Sequence, residues 1–392
     1  MKVVCDRGAL LEGVNLVSGI VAARTPRPQL TCVKLVAKKD GKAGELTLAA
    51  TDAEISLVLT LGQVDVAEPG EALVPADKLR QIVSAEDNEP TLTLETDGET
   101  LHIRGTDAHF KILGYPADDF PPMPDFQETL TGGGSRPAAK ATFTHPAGGM
   151  SALISRTLFA TARENSRYAI NGVLLKRAGK SLEMVATDGK RLALCKAKLA
   201  GSDKDAAGVS CIIPSKALNT LQKLMSDAEE PVRVAVTDTQ VLFSLGAEDG
   251  EPRAVLSSNL VEGVFPPYEE VLPKDQDKRV TFDRDLVFSA VRRAALLTNE
   301  ESRGVRMSFD AGKKHLKLSS RAPEMGEASI DVDLNGYEGE DLEIGFNPSF
   351  LLEALRVVEE PQVVMELKAG NKPGLIKSGS DFLYVVMPVN LQ

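Results

Sequence analysis

Leu182-Glu-Met-Val-Ala-Thr-Asp-Gly-Lys-Arg-Leu-Ala-Leu194 decides the reading of this chain. Leu182, Met184 and Ala186 alternate with residues of the opposite face, the period-two pattern of a strand with one buried side. Thr187-Asp188-Gly189 reads as a tight turn, with Gly189 free to take positive φ. Lys190-Arg191-Leu192 begins the return strand, so the stretch is a hairpin with a basic, partly apolar shoulder. A similar hairpin stands at Leu46-Thr-Leu-Ala-Ala-Thr-Asp-Ala-Glu-Ile-Ser-Leu57, and a weaker one at Leu316-Lys-Leu-Ser-Ser-Arg-Ala-Pro323. The chain is organised around copies of one unit.

Each copy opens with an extended segment and a helical pattern. The first pattern carries Leu10, Val14, Val17 and Val21 after Val3–Asp6. The second carries Met150, Leu153, Ile154 and Leu158 after Thr142–His145, and the third Leu286, Ala290, Ala294 and Leu297 after Val280–Asp283. Spacings of three and four put each set on one helix face. Asp6 and Asp283 suit the cap position at the helix start. A second helix follows the hairpin strands in each copy, opened by Pro75, Pro214 and Pro348, a residue that suits a helix's first turn. Closing strands follow at Thr91–Leu94, Val232–Val236 and Val363–Leu367. The interval is about 130 residues, so three repeats are expected, each of two helices against mainly antiparallel sheet. Copies one and two end alike, with Phe120-Pro-Pro122 and Phe265-Pro-Pro267.

The expected boundaries are 1–128, 141–266 and 267–392. Thr129–Lys140, with its Gly-Gly-Gly-Ser-Arg-Pro stretch, reads as a flexible linker. The second junction has no such linker, so repeats two and three are expected to be closely coupled.

A chain of 392 residues exceeds one ordinary core. Its 43% hydrophobic and 26% charged residues are those of a soluble globular protein. No apolar run is long enough for a membrane span, and Met1–Arg7 lacks a signal peptide's apolar core, so a cytoplasmic location is expected. Cys5, Cys32, Cys195 and Cys211 have no Cys-x-x-Cys spacing and read as reduced, mostly buried thiols. The net charge of −11 argues against a nucleic-acid binder on average, yet allows a basic face segregated from an acidic one. With no Trp and 5% aromatic residues, a platform for stacking single-stranded bases is not expected.

Asp52 and Asp188 occupy equivalent positions, and paired carboxylates raise the alternative of a repeat enzyme. The third copy has Ser320-Arg321 there, with no nucleophile or metal cluster nearby, so a turn role is favoured. His102, His109, His145 and His315 lack metal-ligand spacing, and no phosphate-binding glycine motif is present. No catalytic residue, metal or cofactor is expected. The basic residues say more. Arg24 and Arg27 are read as ending the first helix, Arg156, Arg163 and Arg167 as lying on or just after the third, and Arg292, Arg293, Arg303 and Arg306 on or after the fifth; Lys78, Arg80, Lys216, Lys223 and Arg356 lie on the others. Six helices with outward basic side chains suit sequence-independent phosphate contacts, loosened by Glu164, Glu300 and Glu301.

With the three copies in hand, the chain resembles the DNA polymerase III beta subunit family, the bacterial sliding clamps. The resemblance runs over nearly the whole chain in order. It is carried by Arg167-Tyr-Ala-Ile-Asn-Gly-Val173, Val185-Ala-Thr-Asp-Gly-Lys-Arg-Leu192 and Leu260-Val-Glu-Gly-Val-Phe-Pro-Pro-Tyr268. Val271-Leu-Pro-Lys274, Asn299-Glu-Glu-Ser-Arg-Gly-Val-Arg306, Ile344-Gly-Phe-Asn347 and Tyr384-Val-Val-Met-Pro388 add to it. It implies an α+β fold of three clamp domains that close, as a head-to-tail homodimer, into a six-domain ring. Helices would line the hole and sheets form the outer wall. The implied function is a non-catalytic processivity factor that encircles double-stranded DNA. It would tether the replicative polymerase and meet the clamp loader. Other polymerases, ligase and mismatch-repair proteins would bind by peptide motif. The rival reading is a peptide-binding scaffold without DNA.

The resemblance also implies sites. Arg24 and Tyr168 would face DNA, and Arg27, Arg163 and Arg167, read from their place at the helices, are expected to join them. A groove between repeats two and three would take partner peptides on Ile170, Thr187, Gly189, Lys190, Arg191, Leu192, Pro266, Val271, Val385, Val386, Met387, Pro388 and Leu391. Apolar walls, a pliable Met and a basic rim make a sensible acceptor. Lys190 and Glu270 stand where relatives often carry His and Arg, which bears on partner preference. Phe110 and Ile112 in one subunit would meet Leu296 and Leu297 in the other, since an edge strand with apolar side chains needs cover.

Overall fold

The computed structural model describes residues 1–22, 24–40, 43–62, 64–132, 138–162, 169–199, 208–246, 251–298 and 304–390. The α-helices among them are α1 (Arg7–Ser18), α2 (Ala76–Ala85), α3 (Phe126–Thr131), α4 (Ala147–Ser155), α5 (Ser215–Leu224), α6 (Arg284–Ala294) and α7 (Pro348–Val357). The Asp6 and Asp283 carboxylates accept from the N–H groups of Ala9 and Leu286, at 2.7 and 2.9 Å, and so cap α1 and α6. Pro348 stands in the first turn of α7, whereas Pro75 and Pro214 are the last strand residues before α2 and α5. α1 buries Leu10, Val14 and Val17 as its spacing predicts. Leu286, in the first turn of α6, points outward instead. Arg7 and Arg284 open the first helix of repeats one and three. Each satisfies carbonyls at the end of the second helix: Arg7 donates to Val83 and Ser84, both at 3.0 Å, and Arg284 to Val358 at 2.6 Å.

The chain divides into two units. The first is built mainly from Met1–Ser151 and Lys216–Leu260. It holds a five-stranded sheet in the order Asp65–Glu68, Lys2–Asp6, Thr91–Asp97, Thr100–Arg104, His109–Leu113. It also holds an eight-stranded sheet in the order Ala141–Pro146, Pro231–Val236, Gln240–Leu245, Ala254–Asn259, Ile55–Leu61, Ala43–Thr51, Cys32–Asp40, Gly70–Pro75. Four strands of the central repeat are thereby joined to four of the first. The join is the antiparallel pair Ile55–Leu61 with Ala254–Asn259, in which Leu57 faces Leu256.

The second unit is built mainly from Ala152–Lys204, Ser210–Ser215 and Val261–Gln392. Its nine-stranded sheet runs Val209–Pro214, Gly172–Ala178, Ser181–Thr187, Arg191–Lys198, Phe382–Val386, Gly374–Ser378, Gln362–Leu367, Lys278–Asp283, Gly336–Glu338. The same kind of join recurs here between Arg191–Lys198 of the central repeat and Phe382–Val386 of the third. A four-stranded sheet runs Gly326–Asp333, His315–Ala322, Val305–Asp310, Leu342–Phe346.

Two expectations change, and one contact is new. The stretch read as a linker begins inside α3, where Thr129 is buried and Phe126 and Leu130 pack on Ala235 and Leu242. A composition that favours flexibility is overridden by two apolar side chains at helical spacing; Gly133–Pro137 lie outside the described residues. Ser320 and Arg321 are interior to a strand, and the third hairpin turns after Ala322. Ser320 instead donates to the Ala294 carbonyl at 2.7 Å. His102 and His109 meet across neighbouring strands, with ring centroids 5.1 Å apart.

Candidate functional site

The Thr187–Arg191 turn is built by its own side chains. Asp188 Oδ1 accepts from the N–H groups of Lys190 and Arg191 at 2.9 and 3.0 Å. Thr187 donates to the Arg191 carbonyl at 2.6 Å and accepts from Gly189 N–H at 3.1 Å. Gly189 takes φ of 84°. In the first repeat Asp52 Oδ1 accepts from Glu54 and Ile55 N–H at 3.0 and 2.8 Å, and Ala53 takes φ of 77°. The two aspartates are turn acceptors of the same kind. Their remaining oxygens meet cations. Asp52 Oδ2 lies 2.6 Å from Lys216 Nζ, and Asp188 Oδ2 lies 3.1 Å from Arg191 Nε.

Beside the Asp188 turn lies the C-terminal segment. Leu192 faces Val385 and Arg191 faces Val386 in the ladder. Met387 N–H donates to the Lys190 carbonyl and Val389 N–H to the Gly345 carbonyl, both at 2.9 Å. Leu192, Val385, Ile212 and Tyr268 share one apolar cluster, with Phe265 and Leu272 packed against it. Tyr268 is fixed by a hydrogen bond from its hydroxyl to Glu183, and its phenol is pushed far above its ordinary value by burial and that carboxylate. Around this floor Val271 is 48% exposed, Met387 39% and Val264 78%, and Pro266 and Pro388 are half-buried.

Some residues expected in the groove have other places. Val385, Val386, Leu192, Ile170 and Thr187 are buried by their own chain, and the strand Phe382–Val386 is paired on both edges. Of the expected set, Met387 and Val271 are exposed and Pro388 and Pro266 half-buried. Lys190 and Gly189 are exposed at the rim. Arg191 is a correction: it is 8% exposed, not a rim charge. It donates to Asp188, to Glu353 on α7, and to the Phe159 carbonyl at 2.8 Å. Its guanidinium lies 4.4 Å from the Phe350 ring centre and 5.5 Å from that of Phe159. Burial alone would lower its pKa, but the bond to Glu353 leads the effects that leave it raised. Leu391 lies outside the described residues. Sequence reasoning missed Glu353, Phe350 and Phe159, the partners of Arg191.

The expected DNA-facing residues are partly visible. Arg24 and Arg27 are exposed in the segment after α1, and Arg292 and Arg293 in the last turn of α6. Arg163, Arg167 and Tyr168 lie outside the described residues. Lys216 is tied to Asp52, and Arg156 to Glu359 at 3.6 Å.

At the strand His109–Leu113, an edge of the five-stranded sheet, Ile112 is buried by its own chain and Phe110 is half-buried. The uncovered apolar side chain is Leu113, 78% exposed. Gly326–Asp333 is an edge of the four-stranded sheet. In that unit Leu296 is 70% exposed, Met325 50%, and Leu297 half-buried.

Family models match in three consecutive blocks. The DNA polymerase III beta subunit N-terminal domain matches residues 1–124, the central domain 146–267 and the C-terminal domain 269–390. The chain belongs to the DNA polymerase III beta subunit family. It is 36% identical to the beta sliding clamp of Pseudomonas putida and 32% to that of Escherichia coli K12, with full coverage of all chains. Among solved structures it resembles a DnaN sliding clamp from Pseudomonas aeruginosa bound to griselimycin, at TM-score 0.87 and 34% identity over the whole of both chains. It resembles the Bacillus subtilis sliding clamp equally in fold, at TM-score 0.87 and 28% identity, again over both chains. Among the described residues no helix is long and apolar enough to cross a membrane.

Proposed function

We propose that two copies of this chain close head to tail into a ring around duplex DNA, and that partner proteins dock short peptides on the groove beside Met387. One topological observation carries the ring. Within the chain, Ile55–Leu61 is joined to Ala254–Asn259, and Arg191–Lys198 to Phe382–Val386. The counterparts of these strands are Gly326–Asp333 in the third repeat and His109–Leu113 in the first. Both are sheet edges in the chain. Pairing one copy's Gly326–Asp333 with the other's His109–Leu113 repeats the join between subunits. Charge supports the match: one edge exposes Glu327, Asp331 and Asp333, the other Lys111. Leu113, Leu296 and Met325 gain cover in such a contact.

The function supported best is a processivity clamp acting in the cytoplasm, with repeats bounded near 1–128, 141–266 and 267–392. Arg24 and Tyr168 by family resemblance, with Arg27, Arg163, Arg167, Arg292 and Arg293, would meet phosphates without reading sequence. The replicative polymerase, clamp loader, other polymerases, ligase and mismatch-repair proteins would share the groove. Two grooves per ring let one partner hold on while another exchanges. The test is retention on DNA after loading. The protein should stay on a nicked circle in moderate salt and leave when the circle is linearised. Equal retention before and after cutting overturns encirclement. Peptide binding without any loading favours a scaffold.

A further inference from the structure

Arg191 is a cation with almost no water around it. Its donors are divided among three segments: the Asp188 turn, Glu353 on α7, and the Phe159 carbonyl. A buried cation is costly unless each donor is paired, so these segments sit where the guanidinium is satisfied. The same hub borders the groove. Leu192 follows Arg191 directly, the Lys190 carbonyl holds Met387, and Tyr384 donates to the Phe350 carbonyl of α7 at 3.0 Å.

We infer that Glu353 is a positioning residue of the peptide groove: it fixes Arg191, and through it the height of the Lys190–Leu192 edge against Met387. The inference rests on the reading of this surface as the partner site. Glu353 acts from α7, behind the groove floor, through the guanidinium. With Glu353 neutralised, Asp188 is left as the one carboxylate bonded to Arg191, and it is already committed to two backbone N–H groups.

The experiment measures binding of a fluorescent C-terminal peptide of the replicative polymerase to the full-length dimer, well below melting. The variants are Glu353→Gln, Arg191→Met, their combination, and Glu360→Gln. The last takes the charge from a carboxylate that accepts from Ser378 in the nine-stranded sheet, away from Arg191. Loss of a charge-assisted bond at this hub should weaken the peptide about tenfold in Glu353→Gln. Arg191→Met should weaken it at least as much, and adding Glu353→Gln to it should change nothing more. Glu360→Gln should lower melting and leave affinity alone. Unchanged affinity in Glu353→Gln, losses that add in the double variant, or an equal loss in Glu360→Gln overturns the inference. A wild-type protein that does not bind the peptide overturns the groove itself.

Discussion

Leu192 and Val385 stand opposite each other in one antiparallel ladder, although they come from different repeats. Both are buried, in a cluster that also holds Ile212 and Tyr268. The join between repeats two and three is therefore a core contact. Leu192→Ala should cost about 3 kcal/mol of stability through the cavity it leaves. It should also weaken peptide binding, because Met387 is hung from the neighbouring Lys190. A thermal melt and a peptide titration check the two effects; an unchanged melting temperature would remove Leu192 from the join.

Deleting Met387–Gln392 removes the hydrogen bonds to Lys190 and Gly345 but leaves the strand Phe382–Val386. The loss is about 1–3 kcal/mol. The truncated protein should fold, keep the mass of the dimer, and lose the polymerase peptide. Unchanged peptide affinity would move the partner site elsewhere.

Leu113→Asp and Leu296→Asp each place a carboxylate on an uncovered apolar position at the proposed contact between subunits. Both positions are exposed in the chain, so each variant should fold with nearly normal melting. Each should give half the wild-type mass by light scattering, because an unpaired charge would be buried on closure. A variant that keeps the full mass would remove its position from the contact.

His145 is buried, and neither ring nitrogen has a hydrogen-bond partner among the described residues. Burial holds its pKa below the ordinary value. In the unfolded chain the imidazole protonates near pH 6.5, so the unfolded state takes up the proton first. The stability tied to neutral His145 is complete above about pH 6.5 and falls as the pH drops below it. His315 opposes this: Asp331 and Asp333 raise its pKa, so its contribution is present in acid and lost as the pH rises. The difference in melting temperature between wild type and His145→Leu therefore isolates the first effect. Wild type should lose more than the variant between pH 7 and pH 5. Parallel curves would mean that His145 finds a partner in solution. At the same spot Gly149→Ala would set a Cβ 2.4 Å from His145 Nε2, and should cost more than about 1 kcal/mol despite alanine's better helix propensity.

Local chemistry made much of this fold legible. Thr187-Asp188-Gly189 specifies its turn through bonds that span two to four residues, so the residue types suffice. Asp6 and Asp283 cap helices for the same reason. Alternation also showed that Phe110 and Ile112 share a face, but which face is covered depends on what packs there, and Leu113 proved the exposed side chain. Arg191 misled because an arginine in a hairpin shoulder ordinarily reaches water. Its burial depends on Glu353, Phe350 and Phe159, which are remote in sequence and marked by no spacing. Gly-Gly-Gly in the presumed linker hid the contribution of Phe126 and Leu130 just before it.

The recurrence of one join has a consequence for how such a molecule can be divided among genes. Ile55–Leu61 with Ala254–Asn259, and Arg191–Lys198 with Phe382–Val386, are the contact that Gly326–Asp333 and His109–Leu113 leave open. Cutting the chain after the second repeat would bare Arg191–Lys198 as a sticky edge, yet that edge would be of the same type as one the intact protein already carries. Three polypeptides of two repeats would thus present the same joins, in the same number, as two polypeptides of three. In the proposed ring, subunit count could drift while the circle is kept.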